Sequence, residues 1–596
     1  MTNRILSKLL FLSCSALLMS CSFTTAGTSS PATWSGTSTT TSSSSSSSLS
    51  IASSTVSVSE TGDTSGLTIA TTDGAYSTTG STVTITSAGT YTLSGELNGM
   101  IYIDADEDAD VELDLNGVIL VSSSNSPIYA ANAGSLKIKA LKDTNNVIQD
   151  QRSAKSSDID GQGEGAIYAA CDLKLVGTGT LSVTGNYNNG IHGTDDVTLK
   201  NQNLTVIANN HAVKGNDSIT IEEGGSFYLV ARNGDGLHSQ NSDLSSKGNQ
   251  RGTITLTGGT TVIHSYGDGI DAAYDVSIAS GLDSDGNKTT PSLEIHTNKY
   301  SSYYSSSTSN LVQNTDESDQ TVAYMGPSRG NMGGNMGGSP GGQQTSSSSS
   351  QAEDSAKGIK AANAINIEGG IVSIQSYDDG LHADYGETLE NGAYGQGDVF
   401  VSGGTISINA SDDGIHAERY LTISGGTLTV TAYEGLEGNQ ITISGGSSSV
   451  YGSDDAVNAT SGPLSEIYFK ATGGYLFAEV SSNGDVDGID SNRNIYIQGG
   501  TVIAAGPNSG MASPLDADGV VNVTSGTLVL IGAPEKSPST SLTTSSLTSS
   551  FNAGSSYRLT IGSAAITTPS FAYSHSSTKV YSYSELGSLT AIAKAS

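Results

Sequence analysis

The stretch DDGIHAERYLTISGGTLTVTA, residues 412–432, is one complete unit of a repeat that fills most of this chain. It opens with two acids, a glycine, an apolar residue and a histidine. Two runs of alternating apolar and polar residues follow, separated by Gly425-Gly426. Alternation with a period of two predicts half-buried strands, and paired glycines predict a bend at positive φ. One unit therefore predicts three short strands joined by tight turns.

The recurring feature, which we call the chord, is a small residue, an apolar residue and a polar residue in succession. Thirteen chords occur, and their apolar members are Ile128, Ile167, Ile191, Val213, Leu237, Ile270, Ile359, Leu381, Ile415, Leu436, Val457, Ile489 and Leu515. Uninterrupted chords lie 21 to 24 residues apart. A unit this short cannot bury its own core, so the units must stack. We expect an all-β chain forming a right-handed parallel β-helix of about 13 coils, with three short strands per coil and β caps.

The composition and net charge indicate which binding partners to expect. The chain has 596 residues with 73 glycines, few aromatic residues and a net charge of −33. We expect no nucleic-acid partner, because phosphate binding needs clustered Lys and Arg. The excess of acids is compatible with divalent cations.

The amino-terminal region has the pattern of a bacterial lipoprotein signal. Residues 1–20 combine a basic start with an apolar run too short to span a bilayer, and Leu18-Met19-Ser20-Cys21 resembles a lipobox. We expect cleavage before Cys21 and lipidation of its thiol, with an ordinary signal peptide and a chance cysteine as the alternative. Residues 21–66 are rich in Ser and Thr and predict a flexible linker.

The rest of the chain divides by pattern. We expect a β cap over residues 67–126, the parallel β-helix and carbohydrate-binding domain over 127–530, and a capping segment over 531–596. A Gly-, Met- and Ser-rich insertion at about residues 300–355 interrupts the repeat and is expected to be disordered.

The acids that precede the chords fall at equivalent positions, so stacking would place them one above another. Asp379, Asp413 and Asp455 form one group with Glu434 between, Asp235 and Asp268 form another, and Asp487 lies near the far end. Carboxylates about 4.8 Å apart repel by about 1 kcal/mol in water and about 3 to 4 kcal/mol at an effective dielectric of 20. Oxygen ligands on flexible turns suit Ca²⁺ better than Zn²⁺ or Mg²⁺. The alternative is that each Asp-Gly is a turn dipeptide whose side chain bonds its own backbone.

Two further rows are candidates for polymer contact. The residue after each apolar chord member should point outward by strand alternation, and His382 and His416 belong to this row. Tyr266, Tyr377 and Tyr433 come just before the acids and could stack on sugar rings. The alternatives are a solvated strand face for the histidines and an aromatic packing stack for the tyrosines.

Several segments together carry a resemblance to a known family. They are SAGTYTLSGELNG (87–99), VELDLNGVIL (111–120), AIYAACDLKLVGTGTLSVTGNYNNGIHG (166–193), GDGIDA (267–272) and KGIKA (357–361). With these segments, the chain resembles bacterial calcium-containing parallel β-helix proteins that bind polygalacturonate and cellulose and are similar in shape to pectate lyases.

The resemblance implies calcium ligands and a non-catalytic role. The implied ligands are Asp235, Asp268, Asp271, Asp379, Asp413 and Asp487, and Asp455 joins them from the row argument. Asn189, His211 and Glu434 stand where the pattern expects Asp, which puts calcium at those coils in doubt.

We expect a monomeric, lipid-anchored, surface-exposed protein of the bacterial envelope that binds acidic polysaccharide through Ca²⁺ without catalysis. The first alternative is a calcium-dependent pectate-type lyase, with Lys214, Lys360 or Arg419 as the base. The second alternative is a structural or adhesive surface rod in which calcium only stabilises the fold.

Overall fold

The structure is a computed structural model that describes residues 58, 62–155, 163–298, 356–390, 392–481, 486–507 and 512–595. The predicted signal peptide, Cys21, nearly all of the predicted linker and the insertion at about 300–355 lie outside the described residues. These features stay predictions.

The described residues are all β and contain no α-helix, which confirms the predicted fold class at this level. The strands are β1 (Leu67–Thr71), β2 (Tyr76–Thr79), β3 (Thr82–Ile85), β4 (Gly89–Asn98), β5 (Met100–Asp104), β6 (Asp110–Ser122), β7 (Ile128–Asn132), β8 (Ser135–Ala140), β9 (Asn145–Asp150), β10 (Gly165–Ala169), β11 (Asp172–Val176), β12 (Thr180–Gly185), β13 (Asn189–Gly193), β14 (Asp196–Ala208), β15 (Val213–Gly215), β16 (Ser218–Ala231), β17 (Leu237–His238), β18 (Thr253–Leu256), β19 (Thr260–Ser265), β20 (Ile270–Ala272), β21 (Asp275–Ile278), β22 (Gly281–Leu282), β23 (Lys288–Thr289) and β24 (Ser292–Thr297). They continue as β25 (Ile359–Ala361), β26 (Ala364–Ile367), β27 (Ile371–Ser376), β28 (Leu381–Ala383), β29 (Tyr385–Thr388), β30 (Tyr394–Gln396), β31 (Asp398–Val401), β32 (Thr405–Ala410), β33 (Ile415–Ile423), β34 (Thr427–Ala432), β35 (Leu436–Ile443), β36 (Ser447–Gly452), β37 (Val457–Ala459), β38 (Tyr468–Val480), β39 (Asp490–Ser491), β40 (Asn494–Ala505), β41 (Val521–Ile531), β42 (Ser539–Thr540), β43 (Thr543–Phe551), β44 (Tyr557–Ile561), β45 (Ala564–Thr567), β46 (His575–Ser584) and β47 (Leu589–Lys594). Within the described parts of the chain, no helix has the length and hydropathy needed to span a membrane.

Three ladders of parallel strands organise the chain, and the chain passes through each ladder once per repeat. The first ladder runs through β3, β5, β7, β10, β13, β15, β17, β20, β25, β28, β33, β35, β37 and β39. The second runs through β4, β6, β8, β11, β14, β16, β18, β21, β26, β31, β33, β35, β38, β40 and β41. The third runs through β4, β6, β9, β12, β14, β16, β19, β24, β27, β32, β34, β36, β38, β40 and β41.

The register of the first ladder confirms the alignment of the chords. Ile167 pairs with Ile191, Leu381 pairs with Ile415, and Ile415 pairs with Leu436. The ladder also extends further toward the amino terminus than the chords do. Ile101 of β5 pairs in parallel with Ile128, so parallel stacking begins inside the segment that the sequence pattern assigns to a cap.

The core lies between the ladders and receives one face of every strand. In the unit that spans residues 412–432, Ile415, Leu421, Ile423, Leu428 and Val430 are all buried. The residues between them alternate toward the outside. Apolar burial of this kind contributes about 25 cal/mol per Å², so it supplies the main stabilising term in a fold with no disulfide among its described residues.

The paired glycines serve two different physical needs. The second glycine has positive φ, as at Gly426 with φ of 82°, which turns the chain between the second and third ladders. The first glycine has no room for a side chain. A Cβ on Gly425 would lie 2.1 Å from the carbonyl oxygen of Ser402 on the preceding coil, and a Cβ on Gly445 would lie 2.2 Å from that of Ser424.

Antiparallel strands cover both ends of the parallel ladders. At the amino end, β1 pairs with β4 and β2 pairs with β3. At the carboxyl end, β46 pairs with both β41 and β43, and a second core cluster forms around Phe477, Phe551 and Phe571. Fully buried Glu479 accepts hydrogen bonds from the backbone N–H groups of Ala572 at 2.7 Å and Tyr573 at 3.0 Å, which ties this cap to the third ladder.

We expect Gly425→Ala to lower the free energy of unfolding by about 1 to 3 kcal/mol, because the added Cβ overpacks against the backbone of the preceding coil. Urea denaturation followed by circular dichroism measures this change. Gly369→Ala is the matched control, since Gly369 is likewise the first glycine of a pair and has no positive φ, but the nearest atom to its added Cβ would be Oγ of Ser280 at 3.3 Å. An effect at Gly425 no larger than that at Gly369 would contradict the close-approach explanation.

Candidate functional site

The acids that precede the chords lie in one continuous row, which we call the corner row. Consecutive members are linked by a backbone hydrogen bond. The carbonyl oxygen of each member accepts from the N–H of the residue that directly follows the previous member in the sequence. The row reads His211, Asp235, Asp268, Lys357, Asp379, Asp413, Glu434, Asp455, Asp487 and Ser513. The two groups of acids that the sequence separates are therefore joined, with Lys357 between them. Sequence reasoning did not include Lys357, although it precedes Gly358 as Asp379 precedes Gly380.

One carboxylate oxygen of most corner-row Asp residues links neighbouring coils. Oδ1 of Asp235 accepts from the backbone N–H of Asp268 at 2.8 Å, and Oδ1 of Asp455 accepts from Asp487 at 2.7 Å. Oδ1 of Asp268, Asp379 and Asp487 likewise accepts from the backbone N–H of Lys357, Asp413 and Ser513, respectively. These Asp side chains thus bond the backbone of the next coil rather than their own turn. Only the second oxygen remains for another partner.

Where a histidine follows three residues later, it contacts that second oxygen. Oδ2 of Asp379 lies 2.6 Å from Nδ1 of His382, and Oδ2 of Asp413 lies 3.1 Å from Nδ1 of His416. His382 also contacts Asp384 through Nε2 at 2.8 Å. These contacts direct both imidazoles toward the protein's own carboxylates.

Five members of the row after the chord are buried rather than exposed to solvent. They are Tyr168, His192, Lys214, His382 and Glu437, which are 4%, 2%, 3%, 9% and 7% exposed. Strand alternation does direct them away from the core, but neighbouring side chains then cover them. Asp379 and Asp384 enclose the His382 ring. His416 remains partly exposed.

The amino-terminal half of the corner row is compensated by protein cations. Nζ of Lys357 lies 3.1 Å from Oδ2 of Asp379. Burial would raise the pKa of Asp379, but the hydrogen bond to His382 and the charge on Lys357 outweigh it and hold this pKa well below its usual range. Contacts with His211 and His238 likewise outweigh burial and lower the pKa of Asp235. These carboxylates are charged and already paired.

In the carboxyl-terminal half of the corner row, burial and neighbouring acids raise the pKa values of the carboxyl groups instead of lowering them. Burial, with neighbouring acids adding to it, raises the pKa of Glu434 and of Glu437 to about 7. Burial also raises the pKa of Asp455 to about 9 and that of Asp487 and of Asp490 to about 7. The described parts of the chain give no ion pair to Asp455, Asp487 or Asp490. We call Asp413, Glu434, Glu437, Asp455, Asp487 and Asp490 the acid column.

The predicted tyrosines stand beside this corner on alternate coils. The register of the third ladder places Tyr266, Asn298, Tyr377, Ser411 and Tyr433 in one row. Tyr266 and Tyr377 are 39% and 43% exposed. Alternate coils are separated by about 10 Å, roughly the length of a disaccharide. Tyr451 is different, because its ring packs on Phe477 and its hydroxyl donates to the carbonyl of Ser570 at 3.0 Å, so there the packing interpretation holds.

The predicted metal ligands are thus distributed unequally. Asp235, Asp268, Asp379, Asp413, Asp455 and Asp487 share the corner row, whereas Asp271 lies in the neighbouring row, paired in register with His238. Sequence reasoning gave no metal role to Glu437 or Asp490, which stand in that neighbouring row and contribute to the acid column. The signal was present, since both are acids directly after an apolar chord residue.

A sequence profile for the family described as carbohydrate-binding domain-containing protein matches residues 79–395 and 388–486. These ranges cover more than half of the chain. The chain belongs to this family.

Two similar proteins give further comparison. A carbohydrate-binding domain-containing protein of Acetivibrio thermocellus is 33% identical over 120 residues, which are 20% of this chain and 42% of the relative. The chain therefore matches less than half the length of that relative. A solved structure titled as the polysaccharide lyase-like protein from C. thermocellum, gadolinium derivative, is 31% identical and covers 38% of this chain and 85% of the other, with a TM-score of 0.33.

The raised pKa values of the acid column predict a pH dependence of stability. A carboxyl whose pKa rises from 3.8 in the unfolded chain to about 7 or 9 in the fold stabilises the native state fully below pH 3.8, and this contribution is lost as pH rises through the folded value. We expect Tm in chelator to fall between about pH 5 and pH 9. Differential scanning calorimetry measures it.

Asp455→Asn is the informative variant for this dependence. Its amide oxygen can still accept from the N–H of Asp487, but it carries no titrating proton. The pKa values of His238 and His382, raised to about 9 by contacts with carboxylates that outweigh burial, contribute the same trend in both proteins. We expect a smaller slope of Tm against pH in the variant. Equal slopes would show that Asp455 does not titrate in this window.

Proposed function

We propose that this protein binds acidic polysaccharide at the bacterial cell surface without cleaving it, and that Ca²⁺ held by the acid column bridges protein and uronate carboxylates. Polygalacturonate-like chains are the first candidate ligand and cellulose the second. The observation that carries the proposal is the acid column itself: buried or half-buried carboxylates, of which Asp455, Asp487 and Asp490 have no ion pair among the described residues, beside a row of partly exposed tyrosines.

The proposal includes the finer description of the fold. The three parallel ladders support a right-handed parallel β-helix of about 13 coils, because the chain meets each ladder once per repeat and advances by one strand. A lipid anchor at Cys21, a surface location and a monomeric state complete the proposal and rest on the sequence pattern.

The donor set of the acid column fits calcium. Its members offer carboxylate oxygens, which Ca²⁺ prefers, and six to eight such ligands can come from flexible or irregular turns. Glu437 contacts both Asp413 and Glu434. The charge of Glu434 raises the pKa of Asp413, that of Glu437 raises the pKa of Glu434, and that of Asp413 raises the pKa of Glu437, unless a cation is bound. Asp235 and Asp379 fit less well, because imidazole or ammonium nitrogen atoms lie against their second oxygens. We therefore place calcium at Asp455 and Asp487 before the other predicted ligands, and at Asp413 after them, because Oδ2 of Asp413 also lies 3.1 Å from Nδ1 of His416.

The protein's own groups account for binding in two ways. Bound Ca²⁺ would supply positive charge that attracts uronate groups to an otherwise negative surface. Tyr377 and Tyr433 present rings at alternate coils that can stack on sugar faces. Oδ1 atoms held by backbone N–H groups keep the Asp455 and Asp487 carboxylates in fixed positions, which lowers the entropy cost of assembling the site.

The three candidate bases support binding rather than lyase chemistry. Nε and Nη2 of Arg419 donate to the carboxylate of Asp398 at 2.8 Å and 2.6 Å. Nζ of Lys360 lies 3.5 Å from Oδ2 of Asp384, and Lys214 is 3% exposed. A general base needs access to the substrate proton. Nitrogen atoms that are paired with carboxylates or buried lack this access.

We expect the protein to retain polygalacturonate in the presence of Ca²⁺ and to lose it in chelator, with no unsaturated uronide released. Affinity electrophoresis measures retention, and ultraviolet absorbance of the unsaturated product measures cleavage. Product formation would overturn the binding proposal in favour of a lyase. Absence of both retention and product, with chelator only lowering Tm, would favour the structural rod.

Asp455→Asn and Asp487→Asn should each weaken calcium binding about tenfold or more, since each removes one charged ligand. Isothermal titration calorimetry with CaCl₂ measures this effect. Glu107→Gln is the matched control, because Glu107 is an exposed acid outside the acid column. Calcium affinity unchanged in both Asp variants would refute the acid column as the calcium site.

Tyr377→Ala should weaken polysaccharide binding about 3- to 10-fold without changing calcium affinity, because it removes one stacking ring. Tyr76→Ala is the control, since Tyr76 is 41% exposed but lies on an amino-terminal hairpin. Equal losses in the two variants would argue against a specific tyrosine row.

A further inference from the structure

Two insertions in the repeat contact each other in the folded protein. The chords at Leu237 and Leu381 are followed by intervals of 33 and 34 residues, whereas uninterrupted chords lie 21 to 24 residues apart. The backbone N–H of Ser242 in the first insertion donates to Oε2 of Glu390 in the second at 3.0 Å. The backbone N–H of Glu390 donates to Oγ of Ser242 at 2.9 Å. Insertions in repeat folds form loops that often carry binding sites.

The second insertion forms the hairpin of β29 and β30, which presents two tyrosines on one face. Tyr385 pairs with Gln396, and Tyr394 lies two residues before Gln396 on the opposite strand. Residues at this spacing point to the same side of a strand, so both rings project from one face of the hairpin. Tyr385 is 43% exposed and Tyr394 is 60% exposed. Aromatic surface concentrated in this way is typical of an interaction site.

The hairpin is fixed on the coil that precedes it. Gly395, between the two positions that face outward, approaches the backbone so closely that a Cβ would lie 1.8 Å from the carbonyl oxygen of Ala362. Leu389 near the turn is 4% exposed. The backbone N–H of Gln396 donates to Oδ1 of Asn363 at 3.2 Å. The tyrosine face is therefore held in one orientation before any ligand arrives.

Strand β33 lies beside the hairpin and adds a guanidinium and a third tyrosine. A Cβ on Gly397 would lie 2.9 Å from the Cβ atoms of both Tyr385 and Glu418, so the base of the hairpin is in close contact with β33. Cζ of Arg419 lies 4.8 Å from the centroid of the Tyr420 ring. We call the resulting surface, formed by Tyr385, Tyr394, Gln396, Arg419 and Tyr420, the hairpin patch.

The charge within the hairpin patch is compensated. Nε and Nη2 of Arg419 donate to the carboxylate of Asp398 at 2.8 Å and 2.6 Å, and Nη1 donates to Oε1 of Gln396. Glu418 adds a neighbouring negative charge. The hairpin patch therefore has no surplus positive charge to attract a uronate carboxylate, which the net charge of −33 on the chain would repel.

The remaining chemistry of the hairpin patch suits an uncharged sugar ring. Tyrosine combines an apolar ring face, which can stack on the C–H groups of a sugar, with a hydroxyl that can hydrogen-bond. The phenol, amide and guanidinium groups together offer both donors and acceptors for sugar hydroxyls. No charged partner is needed for this kind of contact.

The hairpin patch is separate from the predicted tyrosines beside the acid column. Tyr377 comes before β28 and Tyr385 comes after it, so the two aromatic surfaces lie at opposite ends of the first-ladder strand. The hairpin patch also contains no member of the acid column. Binding at the two surfaces can therefore be measured independently.

We propose that the hairpin patch is a calcium-independent binding subsite for uncharged sugar residues of a polysaccharide, held in place by the contact between the two insertions. The proposal goes beyond calcium-dependent binding of acidic polysaccharide, and it rests on the proposed function only in that the ligand is a polysaccharide. Because the hairpin is fixed in advance, binding costs little ordering entropy.

The test is affinity electrophoresis of the protein in chelator, in gels that contain galactan, arabinan, xylan or a soluble β-glucan, each alone. We expect at least one of these uncharged polysaccharides to retard the protein, with no change when Ca²⁺ replaces chelator. Tyr394→Ala should weaken that binding at least fivefold. Absence of retardation in all four gels, or retardation that chelator abolishes, would overturn the proposal.

Tyr76→Ala is the matched control, because Tyr76 is a 41% exposed tyrosine on another hairpin. Tyr377→Ala is a second control, since it removes a ring from the other aromatic surface. Both variants should bind the uncharged polysaccharide as the unmodified protein does. Equal losses in Tyr76→Ala and Tyr394→Ala would contradict a specific subsite.

Glu390 is a positioning residue, and its two variants separate orientation from mere presence of the hairpin. Glu390→Ala should weaken binding of the uncharged polysaccharide about threefold and speed hydrogen exchange of the hairpin amides. Glu390→Gln should restore both, because its amide oxygen can still accept from the N–H of Ser242. Glu390 is exposed, so both variants are expected to keep the native circular dichroism spectrum. Equal effects of Ala and Gln would contradict the positioning role.

Retention by polygalacturonate in Ca²⁺, measured in parallel, distinguishes this inference from the proposed function. If polygalacturonate retards the protein but none of the four uncharged polysaccharides does, the inference fails and the proposed function stands. The reverse result leaves the inference standing and refutes the proposed function. Analytical ultracentrifugation tests a second copy of the chain as the occupant. A dimer that Tyr394→Ala dissociates would overturn the proposal in favour of self-association.

Discussion

Parallel stacking in constant register is the constraint on which the other features of this protein depend. Each residue lies above its counterpart one coil away, about 4.8 Å along the ladder, so like side chains meet like. For apolar residues this arrangement is favourable, as the buried chord residues show. For carboxylates it is costly, and the structure offsets the cost by giving Oδ1 of Asp235, Asp268, Asp379, Asp455 and Asp487 a backbone N–H on the next coil.

The same corner row has two electrostatic halves. Near Asp235 and Asp379 the second carboxylate oxygen faces histidine or lysine, so negative charge is compensated within the protein. From Glu434 to Asp490 the acids face other acids, and burial raises their pKa values. The charge of the first half is therefore compensated within the protein, whereas the second half is where we propose that calcium binds.

The sequence pattern predicts the repeat register well because the determinants are local. One unit contains the chord at Ile415, the glycine pair Gly425-Gly426 and the alternation on both sides of that pair. The residues that determine the strands and turns of a unit therefore all lie within that unit. The sequence pattern did not predict the parallel strands β3 and β5. Their units lack the Asp-Gly turn, and only the register of Ile101 with Ile128 reveals them. The burial of His382 was not predicted either, because it depends on Asp384, which lies between β28 and β29 next to the hairpin formed by β29 and β30.

By itself, the sequence determined the all-β class, the period, the side chains that enter the core and the presence of an acid row, since glycine geometry and apolar alternation act over a few residues. Only the tertiary structure decided which acids are compensated. Lys357 enters the row after the long interval that follows Asp268, and His211 contacts Asp235 of the next coil. Charge compensation depends on which coil lies above which, and that neighbour relation arises from stacking rather than from distance along the chain.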